Sequence, residues 1–163
     1  MAMTEYPWEI SEKTKIPSIG EQYAARPELE ARLNRALRVK LTTVTAPAGF
    51  GKTTLVSEWI RRSRVDAAWV SLNADDGDRL WLYAAHAIDG VIPGFAETMR
   101  PFLGGGGGAA SPKRFISHLI PELPPRSKPF LLVLDTRISS KAPRLRTVCA
   151  FSCGTCRNRC ASS

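Results

Sequence analysis

A chain of 163 residues with 44% hydrophobic side chains can bury one core or form part of a larger protein, and it has no apolar run of membrane-spanning length. Its net charge of +8 suggests nucleic acid, but residues 1–135 carry 17 Lys and Arg against 15 Asp and Glu. The excess lies in Arg137, Lys141, Arg144, Arg146, Arg157 and Arg159, in a tail with no acid and all four cysteines, so the body is close to neutral.

Residues 1–25 are polar and proline-punctuated, which predicts an extended lead-in. Met1 to Ile19 has no apolar segment of the secretory kind, so a cytoplasmic protein is expected. Arg26-Pro27-Glu28 opens a helix, because proline suits the first helical turn. Leu29, Leu33, Ala36 and Leu37 then recur at helical spacing, leaving Arg32, Arg35 and Arg38 as a solvated face.

Leu41 to Thr45 is a short β-branched strand, and Leu55 to Arg62 reads as a helix with Leu55, Trp59 and Ile60 buried. Between them lies Ala46-Pro47-Ala48-Gly49-Phe50-Gly51-Lys52-Thr53-Thr54, a P-loop pattern. A triphosphate needs backbone N–H groups turned inward, which small residues permit. It also needs a helix N-terminus, an ammonium for the outer phosphates and a hydroxyl for magnesium. Gly49, Gly51, Lys52 and Thr53 can supply these in turn. The strict pattern has glycine at Ala46, and alanine is tolerated there if its φ is negative.

Ala67 to Leu72 is a second strand, nearly continuous in apolar character as buried parallel strands are. Asp75, Asp76 and Asp78 follow; their spacing does not make an EF-hand loop, and a turn ending in an Asp N-cap is expected instead. The next helix spans about Arg79 to Val91, with His86 lacking a partner at ligand spacing. A short helix is expected over Phe95 to Leu103, cut by Pro101, and another over Pro112 to Leu123, with His118 again alone. The five glycines from Gly104 to Gly108 between them read as a flexible loop. Pro129 to Asp135 is the third strand, five apolar residues ending in a carboxylate 83 residues after Lys52. A carboxylate lifted to the end of a buried strand is the Walker B pattern, which can hold magnesium.

From about Thr14 to Asp135 the chain resembles the N-terminal nucleotide-binding domain of the large ATP-dependent LuxR-type transcriptional regulators, the maltose-activator-like branch of the STAND NTPases. The resemblance rests on Thr14-Lys15, Ala25 to Leu29, the run from Leu41 to Leu55, Glu58-Trp59, Ala68 to Leu72 with its acidic turn, and Leu131 to Asp135. It implies an α/β parallel-sheet P-loop NTPase fold with three of five core strands present. It also implies an ATP or ADP switch with Mg2+, in which nucleotide and an inducer drive self-association. Promoter DNA would be bound only by a C-terminal helix-turn-helix absent from this chain, and no membrane is involved. Carried over by position, Ala46 to Thr54 would surround the phosphates, with Lys52 on the outer ones. Thr53 and Asp135 would hold the metal, with Asp135 the catalytic acid, and the segment around Arg26 would border the adenine.

Two departures bear on this. Thr136 stands where the family has a second acid that helps order the attacking water, so nucleotide binding is the firmer expectation and hydrolysis at most slow. The resemblance also stops at Asp135, and the change of composition there is what a truncation or a reading-frame change would produce. The implied strand order, 5-1-4-3-2, puts the fourth strand between the first and the third. Thr147 to Ser152 is the one replacement in sight, reached by about eleven residues, near the lower limit for a parallel crossover. The chain is therefore expected to be poorly stable or to associate through sheet edges.

Residues 136–163 otherwise read as disordered or non-native. Cys149, Cys153, Cys156 and Cys160 could close a zinc site, but zinc motifs usually separate two close pairs by a longer loop. A self-standing P-loop ATPase is one alternative function, and would need turnover despite Thr136. A nucleic-acid-binding protein acting through the tail is the other, and would bind with steep salt dependence.

Overall fold

The computed structural model describes residues 7–18, 20, 23–103, 117–119, 121–123, 130–137 and 146–153. In chain order the elements are α1 (Pro7–Thr14), α2 (Pro27–Leu33), β1 (Leu41–Ala46), α3 (Lys52–Ser63), β2 (Asp66–Asn73), α4 (Leu80–Asp89), α5 (Phe95–Met99), β3 (Phe130–Arg137) and β4 (Arg146–Cys153). Tight 3-10 turns extend α2 (Asn34–Arg38), precede α4 (Gly77–Arg79) and follow α5 (Arg100–Phe102). Of the helix expected over residues 112–123, residues 117–119 and 121–122 are helical. The glycine run at 104–108, and Cys156 and Cys160 of the zinc alternative, lie outside the described residues.

Alternation along the strands builds the layers, because successive side chains point to opposite faces. Ala68 and Val70 of β2, with Phe130 and Leu132 of β3, pack against Tyr83, Ala84 and Ile88 of α4 and Phe95 and Met99 of α5. Trp69, Leu131 and Val133 face the other way, onto Leu55, Val56, Trp59 and Ile60 of α3 and Leu33 of α2. Both faces are thus covered, which is why β2 and β3 are apolar at nearly every position. Arg32, Arg35 and Arg38 are exposed, as their place outside the stripe requires.

The sheet has four strands in the order β1-β4-β3-β2. Among the described residues only β2 and β3 pair in parallel; β4 runs antiparallel to both of its neighbours. The fold is therefore mixed α/β: the expectation of three parallel strands is corrected, and of the tail read as disordered or non-native, residues 146–153 form β4. Residues 146–153 occupy the place between β1 and β3. The link from Arg137 to Arg146 is too short for a parallel crossover, which takes a dozen or more residues, so the chain returns antiparallel.

The lead-in is corrected as well, since Pro7–Thr14 is helical. Its Ile10 packs on the α4 side of the sheet, and Ile16 just beyond packs on the α3 side. Glu9 receives a hydrogen bond from Tyr83 Oη at 2.9 Å and an ion pair from Arg79 at 3.0 Å. Lys13 pairs with the buried Asp76. That carboxylate also accepts the Asn73 N–H at 2.6 Å, so it closes the turn after β2 and makes no side-chain cap on the helical turn that follows.

Burial and the nearby Glu9 carboxylate raise the Tyr83 phenol above its ordinary range, outweighing the hydrogen bond with Arg79 that acts in the opposite sense. The folded state therefore favours the protonated phenol. Its stabilisation is complete below the unfolded phenol's pKa and fades as pH climbs through the raised folded value. Tyr83→Phe should cost about 1 kcal/mol at neutral pH. The gap from wild type should shrink in urea unfolding above about pH 10, and a gap that stays constant would refute the Tyr83–Glu9 contribution.

Candidate functional site

Strand β1 ends at Ala46 and α3 begins at Lys52, so the loop between them is five residues, 47–51, with a turn closed by Phe50 N–H on Pro47 O at 3.4 Å. Gly49 and Gly51 have φ of +84° and +72°, where a side chain is strained. A Cβ on Gly51 would meet Arg26 Nη2 at 3.9 Å and Thr54 Cβ at 4.0 Å, ordinary contacts, so glycine is required there by backbone conformation. Arg64 is the one non-glycine residue with positive φ among the described residues, so Ala46 meets the condition under which alanine replaces glycine.

Helix α3 starts with Gly51 as its N-cap and no side chain closing it. Its first internal bond runs from Leu55 N–H to Gly51 O at 2.8 Å. The N–H groups of Lys52, Thr53 and Thr54 therefore have no acceptor one turn back, and the positive end of a twelve-residue helix faces the loop. Lys52 is 7% exposed, and its Nζ donates to Ala46 O at 2.6 Å and Pro47 O at 2.9 Å. Two of its three protons thus fold the side chain back along the loop, and a third remains to donate.

Asp135 reaches this place by register. It lies two residues beyond Val133 on β3, pairs with Ser71 of β2 and continues the face covered by α3. It is 2% exposed, and Thr53 Oγ1 donates to its two carboxylate oxygens at 3.2 and 3.1 Å. Residues 82 positions apart thus meet at the start of α3. The pair is an all-oxygen donor set, the kind magnesium takes. Arg26, exposed at the start of α2, donates from Nη1 to Phe50 O at 3.2 Å, and the Phe50 ring is 61% exposed.

Of the predicted residues, Lys52, Thr53 and Asp135 converge with Ala46 and Pro47, and Arg26 braces the loop through Phe50. Ala48, Gly49, Gly51 and Thr54 supply its backbone. His86 is half-buried within α4, and His118 stacks on Phe102 with ring centroids 3.8 Å apart. No group of three or more metal-ligating side chains forms among the described residues. Nor is any helix there long and apolar enough to cross a membrane. Lys13 was not singled out in the sequence, and Asp76 was read only as part of the acidic turn, not as the partner that ties α1 to the end of β2. Their one signal is charge order along Pro7–Thr14, with Glu9 in the first turn and Lys13 in the last.

No family model matches the chain, and no solved structure does. Over 128 residues it is 30% identical to the HTH-type transcriptional regulator MalT of Cronobacter sakazakii (strain ATCC BAA-894). That stretch takes in 77% of this chain and 14% of MalT, so the chain spans a small part of that relative's length. The partial match supports a relation between this chain and the MalT-type regulator family.

Proposed function

We propose that the chain is a nucleotide-binding module of a MalT-like transcriptional regulator, taking ATP or ADP with Mg2+ on the loop from Ala46 to Thr54. One observation carries the reading: Asp135 meets Thr53, 82 residues earlier and next to Lys52, at the uncapped N-terminus of α3. Lys52 offsets the charge of the outer phosphates, and the first N–H groups of α3 donate to phosphate oxygens. The Thr53 hydroxyl and the Asp135 carboxylate hold the cation, which when bound neutralises phosphate charge. Arg26, fastened to the Phe50 carbonyl, keeps the loop open beside the base.

Binding is favoured over turnover, because Thr136 offers no carboxylate to order a water. In a longer protein the module would couple nucleotide and inducer to self-association, and another part of that protein would bind promoter DNA. Titration of the purified chain with a fluorescent ATP analogue tests the reading. Saturable binding is expected with magnesium, weakened roughly tenfold by chelation or by Asp135→Asn. Absence of saturable binding, or binding indifferent to both changes, would rule the proposal out.

A further inference from the structure

A second feature lies on the same side of the molecule. Lys13, Lys15 and Ser18, at and after the end of α1, face Ser71 and Asn73 at the end of β2 across an open cleft of about 390 Å3. That volume falls within the span of small-molecule sites. Ser71 is 9% exposed, and its Oγ accepts the Trp69 indole N–H at 3.0 Å. Its own hydroxyl proton has no acceptor among the described residues, and it lines the cleft. Its proton is therefore available to donate to a ligand oxygen in the cleft.

The remaining wall is also rich in donors. The Lys13 ammonium is committed to Asp76, whereas Lys15 is exposed and makes no ion pair among the described residues. The Asn73 side-chain amide is likewise unengaged there, since only its backbone N–H goes to Asp76. Among the described residues Glu12 is the one acid on the wall, and it disfavours a ligand of high negative charge. A polyphosphate suits the α3 loop better, and a single small anionic group suits this cleft. Ser71 pairs with Asp135 across β2 and β3, so the cleft adjoins the candidate nucleotide site without sharing a residue with it.

We propose that this cleft is a second ligand site, for inorganic phosphate or a phosphate monoester, gripped by Lys15, Ser71 and Asn73. The test is phosphorus-31 line broadening of inorganic phosphate and, in parallel, of methyl phosphate, with the full chain. Because the α3 loop can also bind phosphate, wild type is compared with Lys52→Met. Broadening by either probe is expected to persist in Lys52→Met, to weaken roughly tenfold in Lys15→Ala and severalfold in Ser71→Ala. Lys15→Arg should retain it, and Lys15→Ala should still bind the ATP analogue. The better-bound probe tells free phosphate from an ester. The site is overturned if neither probe binds, if Lys52→Met abolishes binding, or if Lys15→Ala and Ser71→Ala leave it unchanged.

Discussion

Lys52→Met is expected to lower ATP affinity by roughly ten- to a hundredfold, read with the fluorescent analogue at fixed magnesium. Lys52 is almost wholly buried, so its stem is part of the packing at the start of α3. Methionine keeps an unbranched stem and deletes only the ammonium. What is lost is a charge-assisted donor aimed at the outer phosphates, worth about 1.5–3 kcal/mol. The same change frees the carbonyls of Ala46 and Pro47, which hold Nζ at 2.6 and 2.9 Å. Both loop residues are at or near the surface, so water can replace the lost donor and the melting temperature should move little. A variant that binds the analogue as tightly as wild type would defeat the nucleotide reading. A variant that loses binding only with a large fall in melting temperature would assign Lys52 a role in folding instead.

The loop and Asp135 were legible because local chemistry dictates them. Two glycines must take positive φ, a Gly-Lys-Thr run must open a helix, and an apolar strand must end where its carboxylate can be used. Strands β2 and β3 were legible for the related reason that both of their faces are covered. What could not be read depends on contacts between distant segments. Lys13 and Asp76 are 63 residues apart, and Glu9 and Arg79 are 70 apart. The eight residues of α1, with only Trp8 and Ile10 apolar beside its proline, carry too weak an apolar period to declare it a helix before Tyr83, Arg79 and Asp76 are known to receive it. Asp76 shows the same effect. Its position suits an N-cap, but Lys13 and the Asn73 N–H compete for the carboxylate, and together they win it.

Strand β4 raises a further point about how the loop is held relative to Asp135. In the sheet β1 is hydrogen-bonded to β4, and β4 to β3, with no direct pairing between β1 and β3. Val148 pairs with Val44 on one side and with Asp135 on the other. The backbone of β4 therefore sets the spacing between the strand that delivers Lys52 and the strand that delivers the acid. A segment with a composition unlike the rest of the chain thus lies between the two strands that carry the site.

Ala150→Pro should consequently be among the most damaging single changes outside the loop. Ala150 lies inside β4 and pairs with Thr42 of β1 and Val133 of β3. Proline there removes an N–H from the ladder and constrains φ within an inner strand, at a cost of about 3 kcal/mol, the upper end for leaving a ladder carbonyl unpaired. For a chain of this size that is a drop of roughly 6–12 °C in melting temperature. Leu41→Pro is the matched control, because Leu41 begins an edge strand where proline is tolerated, and it should melt within a few degrees of wild type, roughly. ATP-analogue binding should weaken in Ala150→Pro and persist in Leu41→Pro, since only the first disturbs the bridge between the loop and Asp135. If Ala150→Pro melts and binds like the parent chain, β4 does not join the two halves of the site, and the spacing of Lys52 from Asp135 must be maintained by α3 alone.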